Sequence, residues 1–229
     1  MNIASNLDTR GFSIVPNVLD ASACHALACL LGDANGAGNR GMLNKQKVAE
    51  LAESLLAELV RPHLHLSPIP VRGIYFDKRP ETNWLVAWHQ DLTLALKEQA
   101  ELPGFGPWSV KEGVPHVQPP IQLLEQMLTV RLHLDDTDAS NGALRVLSGT
   151  HRLGRLSAGA IQSCRETHEE VLCEAKAGDV LLMRPLLLHA SSRSSAQRRR
   201  RVLHIEFAGF PLPEPLEWHE APWQSVKSP

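Results

Sequence analysis

Met127-Leu128-Thr129-Val130-Arg131-Leu132-His133-Leu134, followed across a turn by Asn141-Gly142-Ala143-Leu144-Arg145-Val146-Leu147, says most about the architecture of this chain. Successive side chains of an extended segment point to opposite faces. Leu128, Val130, Leu132 and Leu134 therefore form one apolar face, while Thr129, Arg131 and His133 share the other. The texture is the same from Pro70 onward: short runs of Val, Ile, Leu, Tyr and Trp broken by Gly, Pro and Asn-Gly, the pattern of a sandwich or barrel. Strands are predicted at about 71–77, 84–90, 127–134, 143–147, 170–174, 179–183, 186–190 and 200–208. Eight short strands suit a mainly β, double-stranded β-helix, that is, a cupin-like jelly roll.

Two helices are expected in front of this barrel. A short strand, Phe12 to Val15, leads through Pro16 and Asn17 to a helix capped by Asp20, with Cys24, Leu27, Ala28 and Leu31 at helical spacing. Gly32 to Gly41 reads as a Gly- and Asn-rich loop. A second helix starts near Asn44, places Val48, Leu51, Leu55, Leu56 and Leu59 on one face, and is stopped by Pro62. The expected layout is one domain over residues 1–229, helical at about 18–66 and barrel at about 70–210. The longest irregular stretch, about 97–120, holds Pro103-Gly104-Phe105-Gly106-Pro107-Trp108, and a loop of that length reads as a lid or substrate-binding segment.

Composition narrows the function classes. A formal net charge of -2 gives no pull toward nucleic acid or an anionic membrane, despite the run Arg198 to Arg201. No apolar stretch approaches the roughly 20 residues that span a bilayer, and the N-terminus lacks a signal-peptide pattern, so a cytoplasmic protein is expected. The four cysteines show no CxxC spacing and read as reduced thiols; Cys24 and Cys29 fall on different faces of their helix and are assigned no chemistry.

The chemistry starts at Trp88-His89-Gln90-Asp91. On a strand, Val86, Trp88 and Gln90 face one way while Ala87, His89 and Asp91 face the other, so a histidine and a carboxylate share a face. His189 ends the apolar run Leu186-Leu187-Leu188, where an imidazole is costly without a partner. Two histidines and one carboxylate form the facial triad of non-haem iron oxygenases, a pattern that leaves adjacent coordination positions open. His63 and His65 have no carboxylate companion at useful spacing and read as structural, as do His151 and His204.

With these pieces in place the chain resembles the phytanoyl-CoA dioxygenase family of Fe(II)/2-oxoglutarate-dependent oxygenases. The resemblance rests on Gly11-Phe12, Phe76-Asp77-Lys78-Arg79-Pro80, Trp88-His89-Gln90-Asp91, Leu134-Asp135-Asp136, Asn141-Gly142-Ala143-Leu144, Ser148-Gly149-Thr150-His151, Gly178-Asp179-Val180, and His189 with its trailing arginine. Ser148-Gly149-Thr150-His151 stands where the family usually has Pro-Gly-Ser-His, a change confined to a turn. The resemblance implies Fe(II) held by His89, Asp91 and His189, with 2-oxoglutarate and O2 as cosubstrates. It implies release of succinate and CO2 and hydroxylation of a small organic substrate. Related iron halogenases lack the carboxylate, so Asp91 favours hydroxylation.

The family places its cosubstrate arginine some eleven residues after the second histidine, which selects Arg200, with Arg201 as the alternative one register away; Arg198 and Arg199 read as a solvated cluster. Ser191, Thr129 and Lys78 are further cosubstrate candidates. Thr93, Trp84, Arg131, Trp108 and His116 are candidates for the substrate pocket, with a solvent-facing role equally open for Arg131 and His133. The residues leave open desaturation, epoxidation or ring formation at the same iron, and a non-catalytic cupin-like binder. They name neither the substrate nor the oligomeric state.

Overall fold

The structure, a computed structural model, describes residues 2–36 and 38–220. Its strands are β1 (Phe12–Val15), β2 (Gly38–Arg40), β3 (Ile69–Lys78), β4 (Val86–His89), β5 (Leu94–Ala95), β6 (Trp108–Lys111) and β7 (Val114–Val117). There follow β8 (Met127–His133), β9 (Leu144–Leu147), β10 (Glu170–Cys173), β11 (Val180–Met183), β12 (His189–Ser191) and β13 (Arg200–Ala208). A six-stranded sheet runs β1-β11-β8-β13-β3-β2 and a four-stranded one β10-β9-β12-β4. The named ladders are antiparallel throughout. The two sheets stay separate, giving the jelly-roll sandwich without a closed barrel; a third, small sheet runs β5-β7-β6.

The alternation in β8 sets the layers. Leu128, Val130 and Leu132 pack outward on the helices, in one cluster with Leu27, Leu31, Val48, Leu56 and Val60. Thr129, Arg131 and His133 turn inward instead and are buried, so neither Arg131 nor His133 faces solvent. Helix α1 (Ile3–Thr9) precedes β1, and α2 (Ala21–Leu31) is capped by Asp20, whose carboxylate accepts from the Ala23 N–H at 2.8 Å. Cys24 is buried and Cys29 exposed, and both are free thiols, as are Cys164 and Cys173. Helix α3 (Gln46–Leu51) continues through a π turn, Ala52–Leu56, into α4 (Ala57–Val60). The buried row is Val48, Ala52, Leu56 and Val60, spaced four apart, which leaves Leu55 exposed rather than on the packed face expected from its apolarity.

Five segments depart from the sequence expectation. The stretch 97–120 is not one irregular loop, since β6 and β7 form a hairpin turned by Glu112 and Gly113, both with left-handed φ. Residues 186–188 are not strand; they make a turn, and β12 starts only at His189. Leu186, Leu187 and Leu188 are apolar for a different reason, because each enters a different core cluster. The loop 32–41 contains β2, and two further helices, α5 (Ile121–Glu125) and α6 (Ala158–Thr167), close the list.

Candidate metal centre and active site

His89 closes β4 and His189 opens β12, and the two are direct partners in the ladder between inner strand β12 and edge strand β4 of the four-stranded sheet. Their rings lie 4.1 Å apart, centroid to centroid. The ladder shifts register between His189 and Ser191, so that Val86 to His89 on one strand faces only Ser191 to His189 on the other. That bulge modifies the strict alternation expected for this strand. Val86 and His89, three residues apart, both line the cavity, while Trp88 packs behind against Leu147 and Leu188. Asp91 is held by its backbone N–H, which donates to the Pro185 carbonyl at 2.9 Å, beside the turn that delivers His189.

Both imidazoles are fixed in one tautomer. Nδ1–H of His89 donates to the Ala87 carbonyl at 2.8 Å and Nδ1–H of His189 donates to the Leu187 carbonyl at 2.9 Å, which leaves each Nε2 lone pair free. Those Nε2 atoms stand 3.8 and 3.7 Å from the Asp91 carboxylate oxygens, and one ligand atom from each of the three residues lies within 4.8 Å of the others. Burial pushes His189 down to about 4, so the imidazole is neutral at pH 7. Burial opposes the charge on Asp91, but in acid, where His189 takes up its proton, the imidazolium and the more distant Arg72 outweigh burial and hold the carboxyl at about 2, so Asp91 is ionised at pH 7. Asp91 Oδ2 is buried with no hydrogen-bond donor among the described residues. Two imidazole nitrogens with free lone pairs and a carboxylate whose Oδ2 is orphaned, all pointing at one spot, fit a divalent transition metal.

Behind this centre lies a cavity of about 330 Å³. Arg200, from the first position of β13, is buried there; its Nη1 donates to the Gly142 carbonyl at 2.6 Å and its Nε has no partner. Burial and the adjacent Arg131 work against its charge. Ser191 Oγ donates to the same Gly142 carbonyl at 2.9 Å and accepts from Lys78 Nζ at 3.1 Å. Lys78 pairs with Arg200 across the β3–β13 ladder, and burial followed by Arg200 and Arg131 pushes its amine down to about 7. Gly142 itself has φ +78°, and a Cβ there would stand 2.7 Å from the Ser192 carbonyl oxygen, so only glycine fits.

The cavity wall includes Trp84, Thr93, Arg131, Ser191 and Arg200 among the sequence candidates. Lys78 sits just behind the wall, reached through Ser191. Three others lie elsewhere. Thr129 is buried beside Glu206 and Met183 in the sheet, Trp108 packs with the core around Leu94 and Phe210, and His116 is buried in β7 with Nδ1 donating to the Val114 carbonyl. Arg201 is spoken for by a two-pronged pair with Asp135 at 2.6 and 2.8 Å. Arg199 pairs with Asp33 and the fully buried Asp77, and Arg198 with Asp138, so neither is simply solvated.

Sequence reasoning passed over Arg72, Phe76, Lys111, Glu206 and His204, all of which line the cavity. The period-two rule carried the signal for most of them. Once Arg200 faces inward so must His204 and Glu206, and once Lys78 does so must Phe76 and Arg72. Arg131 Nη1 donates to His204 Nδ1 at 3.0 Å, His204 Nε2 faces Glu206 at 3.4 Å, and Glu206 accepts from Arg72 Nη1 at 3.1 Å.

A family model described as Phytanoyl-CoA dioxygenase (PhyH) matches residues 29–202. The chain belongs to the phytanoyl-CoA dioxygenase family. Iron- and 2-oxoglutarate-dependent oxygenation is the chemistry of that family, which makes this member an oxidoreductase, and His89, Asp91 and His189 provide the ligand set such chemistry requires. Among solved structures, EctD from S. alaskensis with 2-oxoglutarate and 5-hydroxyectoine superposes with a TM-score of 0.69 at 18% identity, over 96% of this chain and 82% of EctD. The non-heme alpha ketoglutarate dependent epimerase SnoN from nogalamycin biosynthesis gives 0.66 at 17% identity, over 90% and 80%. The carbocyclase SnoK from the same biosynthesis gives 0.65 at 14%, over 99% and 90%. At such identities these likenesses speak for the fold. No curated protein sequence matches the chain. No helix among the described residues is long and apolar enough to cross a membrane.

Proposed function

We propose that this phytanoyl-CoA dioxygenase family member is an Fe(II)- and 2-oxoglutarate-dependent dioxygenase that hydroxylates a small organic substrate and releases succinate and CO2. The convergence of His89, Asp91 and His189 on one point, with the buried and partly unpartnered Arg200 guanidinium in the same cavity, carries this reading. Bound by those three residues, Fe(II) would supply the redox chemistry that couples decarboxylation of the 2-oxo acid to oxidation of a substrate C–H bond.

The chain's own residues set the conditions. Each histidine presents Nε2 because a backbone carbonyl holds Nδ1–H, and Asp91, with its carboxyl held down at about 2, is ionised at pH 7. Arg200 offers a planar fork for the far carboxylate of 2-oxoglutarate, with Ser191 and Lys78 alongside. A guanidinium and an ammonium buried without an anion are costly, and a dicarboxylate would relieve both. The site's volume is near the lower end of the roughly 300–1,000 Å³ usual for ligand pockets, which favours a compact substrate beside the oxo acid. Incubating the enzyme with Fe(II), 2-oxoglutarate, O2 and a metabolite extract tests the outcome. A product heavier by one oxygen is expected, while loss of two hydrogens or an unchanged mass would replace hydroxylation by desaturation, ring closure or epimerisation.

A further inference from the structure

The cavity has two cationic ends, and the oxo acid accounts for only one of them. Lys78 and Arg72 lie six residues apart on the same face of β3, opposite Arg200 and Glu206 of β13 respectively. Six residues of strand put their Cα atoms about 20 Å apart. At the first end stand Lys78, Arg200 and Ser191. A five-carbon diacid gripped there and directed toward His89, Asp91 and His189 cannot reach the second.

The second end is built from Arg72, Glu206 and Lys111. Glu206 Oε1 already accepts from Arg72 Nη1 and faces His204 Nε2, so the negative charge of that trio is matched by a guanidinium. Among the described residues Arg72 spends one N–H donor, on Glu206, of the five its guanidinium carries. Lys111 reaches the cavity wall from the end of β6, with Nζ 3.3 Å from Thr93 Oγ1, two residues beyond Asp91. Among the described residues no carboxylate is in ion-pair contact with it, and partial burial pushes its amine down, with Arg72 and Arg40 adding to the shift. The tip of its hairpin is tied down by Glu112, which accepts from Arg40 at 3.0 Å, so Lys111 is delivered by a fixed turn. The end of the cavity away from Arg200 thus carries one unneutralised positive charge and a pre-oriented guanidinium.

We propose that the substrate is a small carboxylic acid whose carboxylate is taken by Lys111 and the free edge of Arg72, across the metal centre from the Arg200 anchor. The proposal rests on the oxygenase reading above and adds the substrate class to it. Arg131 and His204 serve as positioning residues, since they brace Glu206 and through it Arg72.

The test uses the full chain loaded with Ni(II), a redox-inert stand-in for iron, and saturated with 2-oxoglutarate. Propanoate, hexanoate, benzoate and phenylacetate, each with its primary amide, are titrated calorimetrically into this complex. The acids that bind are expected to do so at least roughly tenfold more tightly than their amides. Lys111→Gln, a change at an exposed position, is expected to erase most of that preference, and Arg72→Lys, which keeps a cation facing Glu206, to reduce it. If 2-oxoglutarate itself fails to bind the wild type, the oxygenase reading falls and takes this proposal with it. If 2-oxoglutarate binds but none of the acids does, or acids bind no better than amides, or Lys111→Gln keeps the full preference, the proposal alone is overturned.

Discussion

Four consecutive arginines meet four different surroundings. Arg199, just before β13, and Arg201, within it, project on the side that carries Asp77 and Asp135, whereas Arg200 turns into the cavity and, among the described residues, hydrogen-bonds only the Gly142 carbonyl. The run itself does not say which arginine turns inward, because register is a property of the ladder; the β13–β3 register puts Arg200, opposite Lys78, on the cavity side. Arg200→Gln is therefore expected to weaken 2-oxoglutarate binding roughly 10- to 100-fold by calorimetry. Arg201→Gln should leave that affinity alone and lower the melting temperature slightly. Lys78 gives a pH signature. Its amine is pushed down to about 7 in the ligand-free site, and a dianion bound beside it raises it again. Binding above pH 7 must then take up a proton, and affinity should fall as pH rises from about 7 toward the ordinary 10.5. Titrations in buffers of different ionisation enthalpy measure that uptake, and Lys78→Met should abolish it.

At the scale of elements, the strands of the main sheet were legible because their alternation is undisturbed. Residues 127–134, 179–183 and 200–208 were expected as strands, and β8, β11 and β13 appear there within a residue. Legibility failed where one local rule hides another. Leu186-Leu187-Leu188 reads as a strand by apolarity, yet it is a turn whose three side chains enter three clusters. The β6–β7 hairpin was masked by its Pro and Gly content, and the β4 bulge leaves no mark in composition at all. The convergence of His89, Asp91 and His189 was readable despite this, since their residue types are rare together and the spacing of His89 and Asp91 is tight. Their support was not: the Asn141-Gly142 turn supplies one carbonyl that steadies both Arg200 and Ser191. Gly142→Ala would force a Cβ within 2.7 Å of the Ser192 carbonyl oxygen at a left-handed φ. It is expected to cost about 1–3 kcal/mol of stability in chemical denaturation and to raise the KM for 2-oxoglutarate more than it lowers kcat.

For the molecule as a whole, the site sits between two sheets, and its rigidity depends on how they are joined. The turn at 185–188 is the junction: it receives the Asp91 N–H, offers the carbonyl that orients His189, and inserts Leu187 among Phe12, Leu144, Val146 and Met183. Leu187→Ala is expected to cost about 2–5 kcal/mol and to lower the melting temperature, with metal affinity reduced alongside it because His189 loses its footing. The measurement that bears hardest on the whole reading is succinate formation from 2-oxoglutarate with Fe(II) and O2, compared between wild type and His89→Ala across a varied panel of small acids and neutral compounds. Wild type should convert 2-oxoglutarate to succinate in step with substrate, and His89→Ala should lose that turnover by roughly 100-fold or more while keeping its melting temperature. Equal background turnover in the two proteins on every compound would contradict the assignment of iron to His89, Asp91 and His189.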